Sequence, residues 1–314
     1  MKLWGKVLIG AVLLLAGIVI AAIVHANLQI ARLETRTPDD GAPGRVLTID
    51  GHRWHVVVDG DPVQDPTGAP ILLVHGFAVA GLQTFEPWAS EQLHGRSLIL
   101  PDLLGYGHSE RIPKAGPWYS VQAYADALVQ LLDQLGVRQV DLVSHSFGGS
   151  VALRFALDHP ERVRRIVFIS AAIYVEPSAA EGIVQLPLGI GRAVTWHAFG
   201  AGPWSINVLG CRDRGCQWSE LAKIRDTTDT LRAMMRSTRE YPAAKELMRD
   251  LPGLKTPPLI IWGRKDNIVP LAQGERLAAA TGGRLVIIDN SVHMPHLREP
   301  ERVGGLVREF LGEP

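Results

Sequence analysis

Three short stretches carry residue types able to do nucleophilic chemistry. The first is LVSHSFGGSVALRF, residues 142–155, where an apolar run passes through Ser144-His145-Ser146-Phe147-Gly148-Gly149 into a helical pattern. A serine on a tight turn between strand and helix projects its hydroxyl above the sheet edge, at the helix N-terminus. Backbones pass close at such a corner, so the residues two before and two after must be small. Ser144 and Gly148 meet that need, which puts Ser146 at the corner and makes Ser144 a spacer. The spelling S-x-S-x-G departs from the usual G-x-S-x-G by one hydroxymethyl group, a change expected to be tolerated. A serine hydroxyl is a poor nucleophile near neutral pH; it needs a base, and the base needs a third group to orient it. PLIIWGRKDNIVP, residues 258–270, sets Asp266 just beyond an apolar run, and RLVIIDNSVHMPH, residues 284–296, sets His293 just beyond the next. Serine, acid and histidine in that order, each after a strand, could perform acyl transfer.

The elements that must position them are readable in outline. Two strands are expected around RVLTID and WHVVVDG, joined at Gly51-His52. The runs ILLVHG, SLILPD, QVDLVS, RRIVFIS, PLIIWG and RLVIID are short and almost wholly apolar, as strands buried on both faces of a parallel sheet must be. Helical stretches alternate with them. TFEPWASEQLHG is one, and SVQAYADALVQLLDQLG is the clearest. In the latter Ser120 is placed to cap the start, Tyr124, Leu128, Leu131 and Leu135 share a face, and Gly136 follows the end. This alternation implies an α/β fold with a mostly parallel central sheet flanked by helices. A long segment, apolar and then charged, separates RRIVFIS from PLIIWG and reads as a helical cap inserted before the last two strands.

The chain resembles the α/β-hydrolase family over about residues 45 to 314. The matching segments are HGF at 75–77, PDLLGYGHS at 101–109, SHSFGG at 144–149, GRKDNIVP at 263–270 and VHMPHLREP at 292–300. The resemblance implies a Ser146–His293–Asp266 triad. It also implies an oxyanion hole built from the backbone N–H groups of Phe77 and Phe147, commonly worth about 3–4 kcal/mol per donor. The chain departs from the family pattern at Ser144 and at Val292, both in place of glycine. His296 competes with His293 as the base and Asp289 with Asp266 as the acid; the family pattern favours His293 and Asp266. Asp102 is expected to shape its loop through hydrogen bonds and His75 to be structural, while His145 is expected to point away from the serine hydroxyl in a structural or pocket-lining role. His293 and His296 alone make a poor metal pair without a third ligand. No cofactor or metal is implied. A serine at the corner argues against the dehalogenase and epoxide hydrolase branches, which resemble this fold but use aspartate there.

Lys plus Arg and Asp plus Glu each number 32, so no charge imbalance points to nucleic acid. Val7 to Val24 is an uncharged apolar run, long enough to cross the roughly 30 Å hydrocarbon layer of a bilayer. Residues 1–26 are therefore expected to be a membrane anchor, or a signal segment if cleaved, and residues 27–44 a polar linker. The hydrolase core is expected over 45–172 and 251–314, with the cap at 173–250. Lys2 and Lys6 suggest that the catalytic domain lies outside the cytoplasm. Cys211 and Cys216 are open between a disulfide and two thiols. An anchor and an apolar cap direct the expectation toward a carboxylic ester with a lipophilic acyl group. The stretch Ile183 to Trp204 is expected to line the acyl pocket or touch the membrane, unless it is simply buried on the sheet. Carbon–carbon bond hydrolase, lactonase, amidase and acyltransferase activities fit the same residues, and a membrane-tethered binding module is the non-enzymatic alternative.

Overall fold

A computed structural model of the chain describes residues 2–34, 43–65, 68–77, 81–174, 179–198, 228–241 and 243–312. Its strands are β1 (Arg45–Ile49), β2 (His52–Asp59), β3 (Ile71–Val74), β4 (Leu98–Pro101), β5 (Val140–His145), β6 (Val163–Ile169), β7 (Leu259–Gly263) and β8 (Arg284–Ile288). They form one sheet in the order β1-β2-β4-β3-β5-β6-β7-β8. β2 runs antiparallel to both of its neighbours, and every pair from β4 to β8 is parallel.

The apolar runs are strands because both of their faces are covered. Ile71, Leu73, Val143, Val167 and Ile261 join one buried cluster, while Leu72, Val74, Leu142, Phe168 and Trp262 join the other. Successive residues thus alternate between two cores. Helices α3 (Val121–Gln134) and α4 (Phe147–Asp158) cover one face through Leu128, Leu131, Val151 and Phe155. Helix α2 (Glu86–Gln92) and the C-terminal helix Pro300–Leu311 cover the other through Trp88, Val303, Val307 and Leu311.

Helix α3 shows how local sequence fixes an element's ends. The Ser120 hydroxyl accepts from the Ala123 amide at 3.1 Å. At the other end Gly136 takes φ +70°, its N–H donates to Asp133 and the Val137 N–H donates to Leu132. That paired closure needs a left-handed residue just past the helix, a conformation glycine adopts without strain.

Between β6 and β7 the described residues form α5 (Ala179–Val184), α6 (Ile190–Ala198), α7 (Thr228–Glu240) and α8 (Ala244–Asp250). Cys211 and Cys216 lie outside the described residues.

The N-terminal helix α1 spans Lys2–Glu34. Its Lys6–Arg32 part is long and apolar enough to cross a membrane, and its most apolar 18-residue window has a mean hydropathy of 3.1. The expected boundary at residue 26 is corrected here, because the helix does not give way to a linker at 27. NLQIARLE continues the helix through residues that favour it. Ala26 and Ile30, one turn apart, are fully buried against Ala193 and Trp196 of α6. Hydropathy alone misses this, since the polar residues of the segment share a helix with an apolar pair facing the insertion.

Candidate active site

The corner after β5 is strained and held. Ser146 has φ 51° and ψ −124°, a conformation that costs a non-glycine residue about 1–3 kcal/mol. Its N–H donates to Ile169 at 3.1 Å, and its carbonyl accepts from Gly149 at 2.9 Å and Ala172 at 2.8 Å. These bonds to β6, α4 and the segment after β6 offset the strain. A side chain at Gly148 would put Cβ 2.3 Å from the Val74 carbonyl oxygen, so the helix can lie this close to β3 only with glycine there. Ser144 fits the other small position. Its side chain is buried, and its hydroxyl donates to the Val167 carbonyl at 3.2 Å.

The loops after β7 and β8 bring two further groups to this corner. Nε2 of His293 lies 2.9 Å from Ser146 Oγ, and Nδ1 lies 2.9 Å from Asp266 Oδ2. A carboxylate only accepts, so Nδ1 carries the proton and Nε2 offers its lone pair to the serine hydroxyl. The other Asp266 oxygen accepts from the amides of Val269 at 2.9 Å and Ile268 at 3.0 Å. Burial pushes the Asp266 carboxyl up. The hydrogen bond and charge of His293, with these two amides, outweigh burial and hold the group below the usual carboxylate range. Trp262 of β7 donates to the Val269 carbonyl at 2.9 Å and so fixes the same loop.

The competing residues are placed elsewhere. Asp289 is exposed and pairs with Arg264 at 2.6 Å. His296 is fully buried beside Phe85, Trp88 and His145, with Nε2 3.2 Å from the Thr84 carbonyl oxygen. His75 accepts from the Leu103 amide at 3.0 Å and lies beside its own loop's Gly76 carbonyl at 2.8 Å. Asp102 sits with His55 at 2.8 Å and accepts the His108 amide at 2.9 Å, so it shapes the 101–109 turn. Val292 stands where glycine was expected, but its side chain is 49% exposed and meets no crowding. The close approach falls on Gly263 instead, where a Cβ would lie 2.0 Å from the Val292 carbonyl oxygen.

Phe77 and Phe147 flank the serine. Phe147 opens α4, where first-turn N–H groups have no partner within the helix. Phe77 follows Gly76, whose missing side chain lets that backbone approach the serine: a Cβ there would lie 2.8 Å from Ser146 Cβ. Their rings meet edge-on, centroids 6.5 Å apart.

Sequence reasoning gave His145 a structural or pocket-lining role but not its partner. The His145 Nε2 lies 2.9 Å from the His293 carbonyl oxygen, and the two imidazole rings are 4.8 Å apart. The signal available in sequence was only its position beside the corner.

A cavity of about 230 Å³ opens on Ser146, Phe77 and Phe147. Its far walls come from Met235, Thr238, Tyr241 and Ala244, and from Ile268 and Val269 of the acid loop. The expectation that Ile183 to Trp204 lines the pocket is corrected for its described part, residues 183–198, none of which reaches the cavity. The later helix α7 does so, because its amphipathic pattern turns Met235 inward from a sequence rich in arginine. Among the described residues no group of three or more His, Cys, Asp or Glu is placed to hold a metal ion.

The family model described as "Alpha/beta hydrolase family" matches residues 71–305. The chain belongs to that family. This α/β hydrolase is 31% identical over 290 residues to a 2-hydroxymuconate semialdehyde hydrolase of Pseudomonas putida, covering 86% of this chain and 94% of the relative. Among solved structures it is similar to a meta-cleavage product hydrolase from Pseudomonas fluorescens IP01, with TM-score 0.65 and 22% identity over 86% of this chain and 98% of that one. An esterase from Thermogutta terrifontis is similar too, with TM-score 0.67 and 24% identity over 86% and 98%. The two structures establish the likeness of fold. The sequence relatives support hydrolase chemistry and leave the bond cleaved open.

Proposed function

We propose that this α/β hydrolase is a membrane-anchored serine hydrolase that cleaves a carboxylic ester of an apolar acyl group. One observation carries the reading: the hydrogen-bonded series Asp266–His293–Ser146 opens into a cavity whose described lining contains no charged side chain. In this mechanism His293 Nε2 takes the proton from Ser146 as Oγ attacks the ester carbonyl. Asp266 holds the ring and stabilises the imidazolium that results. The Phe77 and Phe147 amides, with the N-terminus of α4 behind them, stabilise the oxyanion. His293 then protonates the leaving alcohol. Water, activated by the same histidine, attacks the acyl-enzyme and releases the acid.

The N-terminal helix would anchor the enzyme. Burial of Ala26 and Ile30 against the insertion supports an uncleaved segment, since a cut at residue 26 would remove part of the packed structure. Lys2 and Lys6 support an orientation with the catalytic domain outside the cytoplasm.

The relatives' names favour a second reading, hydrolysis of a carbon–carbon bond next to a carbonyl group. A muconate-type substrate carries a carboxylate, which calls for a cationic or multidentate partner. The described cavity wall offers no such cation.

The test is turnover by the full chain in detergent, with Ser146→Ala beside it. p-Nitrophenyl esters from acetate to palmitate would be compared with 2-hydroxymuconate semialdehyde. Ester turnover and fluorophosphonate labelling, both lost in S146A, are expected. Turnover of the semialdehyde alone would replace the ester reading with the second one. Labelling that survives in S146A would overturn the assignment of the nucleophile.

A further inference from the structure

The feature left unused is a leucine in an expensive place. Leu188 lies between α5 and α6 with φ 59°, a left-handed conformation rare for a side chain of its size, and it is 89% exposed. Ile183 and Leu186, just before it, are exposed as well. A surface turn in water is normally glycine, asparagine or aspartate at such a position.

Its neighbour ties it to the N-terminal helix. Asn27 Nδ2 donates to the Gly189 carbonyl at 3.1 Å and to its own helix at Ile23 at 2.8 Å. Arg192 of α6 donates to Asn27 Oδ1 at 3.3 Å. Gly189 must be glycine for this contact, since a Cβ there would lie 2.7 Å from Asn27 Nδ2. The helix supplies a ruler. At about 1.5 Å per residue, Lys6 to Val24 covers roughly 27 Å, close to the hydrocarbon thickness of a bilayer. Residues 25 to 28 then fall at the headgroup boundary, and Asn27 brings the turn carrying Leu188 to the same level.

We infer that the Leu186–Gly189 turn inserts into the interfacial layer of the bilayer beside the exit point of α1. The inference rests on the membrane-anchor reading above. The occupant of this apolar patch is lipid, because a spanning helix and the patch are joined side by side. The contact continues toward the active site: Arg192 pairs with Asp229 of α7 at 3.0 Å, and Arg232 of α7 donates to Val184 at 2.8 Å. The same helix α7 lines the cavity with Met235 and Thr238. The wall of the acyl cavity is thus built on an element resting on the membrane, and the substrate class that fits is an ester dissolved in the bilayer.

The experiment uses the full chain in phosphatidylcholine vesicles. A fluorophore is placed at Leu188→Cys, Leu14→Cys or Asp59→Cys, each in a Cys211→Ser, Cys216→Ser background. Asp59 is exposed at the end of β2, opposite Leu98 at the start of β4. Fluorescence loss is read with lipid nitroxides near the headgroup, lipid nitroxides near the bilayer centre, and aqueous iodide. The expected pattern is loss at 188 with the shallow nitroxide, loss at 14 with the deep one, and loss at 59 with iodide alone. Loss at 14 with the deep nitroxide, together with iodide access at 188, would overturn the inference and leave the anchor standing. Iodide access at 14 would overturn both.

Discussion

The backbone carbonyl of His293 is held by the side chain of His145, one residue before the proposed nucleophile Ser146, at 2.9 Å. A carbonyl only accepts, so His145 Nε2 carries a proton. Burial, with the charges His293 and His296 would carry, pushes His145 well below the usual histidine range and keeps the ring neutral. Its Nδ1 has no hydrogen-bond partner. The ring is therefore a one-donor clamp between β5 and the loop bearing the proposed base.

His145→Phe keeps the ring and removes the donor. A neutral hydrogen bond is worth about 0.5–1.5 kcal/mol, so kcat/KM should fall by up to about tenfold. Steady-state kinetics checks this. A fall of several orders of magnitude would mean that His145 touches the reacting atoms, and no change would mean that the clamp is idle.

Gly76→Ala should damage catalysis more than binding. The new Cβ would meet Ser146 Cβ at 2.8 Å and His145 Nδ1 at 3.0 Å, pushing the Phe77 amide off its position. Loss of one oxyanion donor costs on the order of 10²-fold in kcat. Overpacking should also lower stability by about 1–3 kcal/mol, so rates belong well below the thermal midpoint. Unchanged kcat would remove Phe77 from the oxyanion site.

Ser144→Gly restores the usual spelling of the corner and should make the protein worse. It loses the bond to Val167, worth about 0.5–1.5 kcal/mol, and gains unfolded-state freedom worth about 0.5–1 kcal/mol. Denaturant melts should show the loss while kcat/KM holds. A stability gain would mean that the serine is a burden at this site.

The buried His55–Asp102 pair sets a pH window for stability. For His55, burial acts to lower the value, but the hydrogen bond and charge of Asp102 raise it above 6.5 overall. For Asp102, burial acts to raise the value, but His55 and the His108 amide bring it below 3.8 overall. The histidine's contribution is present below pH 6.5 and fades as pH rises through its higher folded value. The carboxylate's contribution is present above pH 3.8 and fades as pH falls through its lower folded value. The pair therefore supports the fold best between these limits. His55→Asn should flatten the decline of the thermal midpoint above pH 6.5. An identical decline in the variant would place its origin elsewhere.

Met235→Trp should shorten the cavity that this side chain lines. Long acyl esters should lose more kcat/KM than acetate or butyrate, measured across a p-nitrophenyl ester series. Equal losses would mean that the acyl chain lies elsewhere.

The sheet and the meeting of Ser146, Asp266 and His293 were legible because each rests on a local signal. Runs such as ILLV and LIIWG announce strands covered on both faces, and Asp266 and His293 directly follow such runs. What escaped reading depends on contacts between segments far apart in sequence. His145 reaches His293 across 148 positions, and Asn27 reaches Gly189 across 162. Helix α7 hid its cavity-facing Met235 among arginines, because a charged sequence reads as solvent-exposed until the opposite face is known. The polar stretch after Ala26 was read by hydropathy, which cannot see that Ile30 completes a buried pair with Ala26.

That buried pair makes the N-terminal helix part of the tertiary structure. A protease cutting just before Asn27 would strip Ile23 and Ala26 from Trp196 and Ala193. The eight helical residues left behind, to Glu34, are fewer than the roughly 12–15 that an isolated helix needs in water. Loss of the segment before Asn27 and loosening of the insertion around α6 would then be one event. A secreted form would need new side chains on α6 to replace the lost cover.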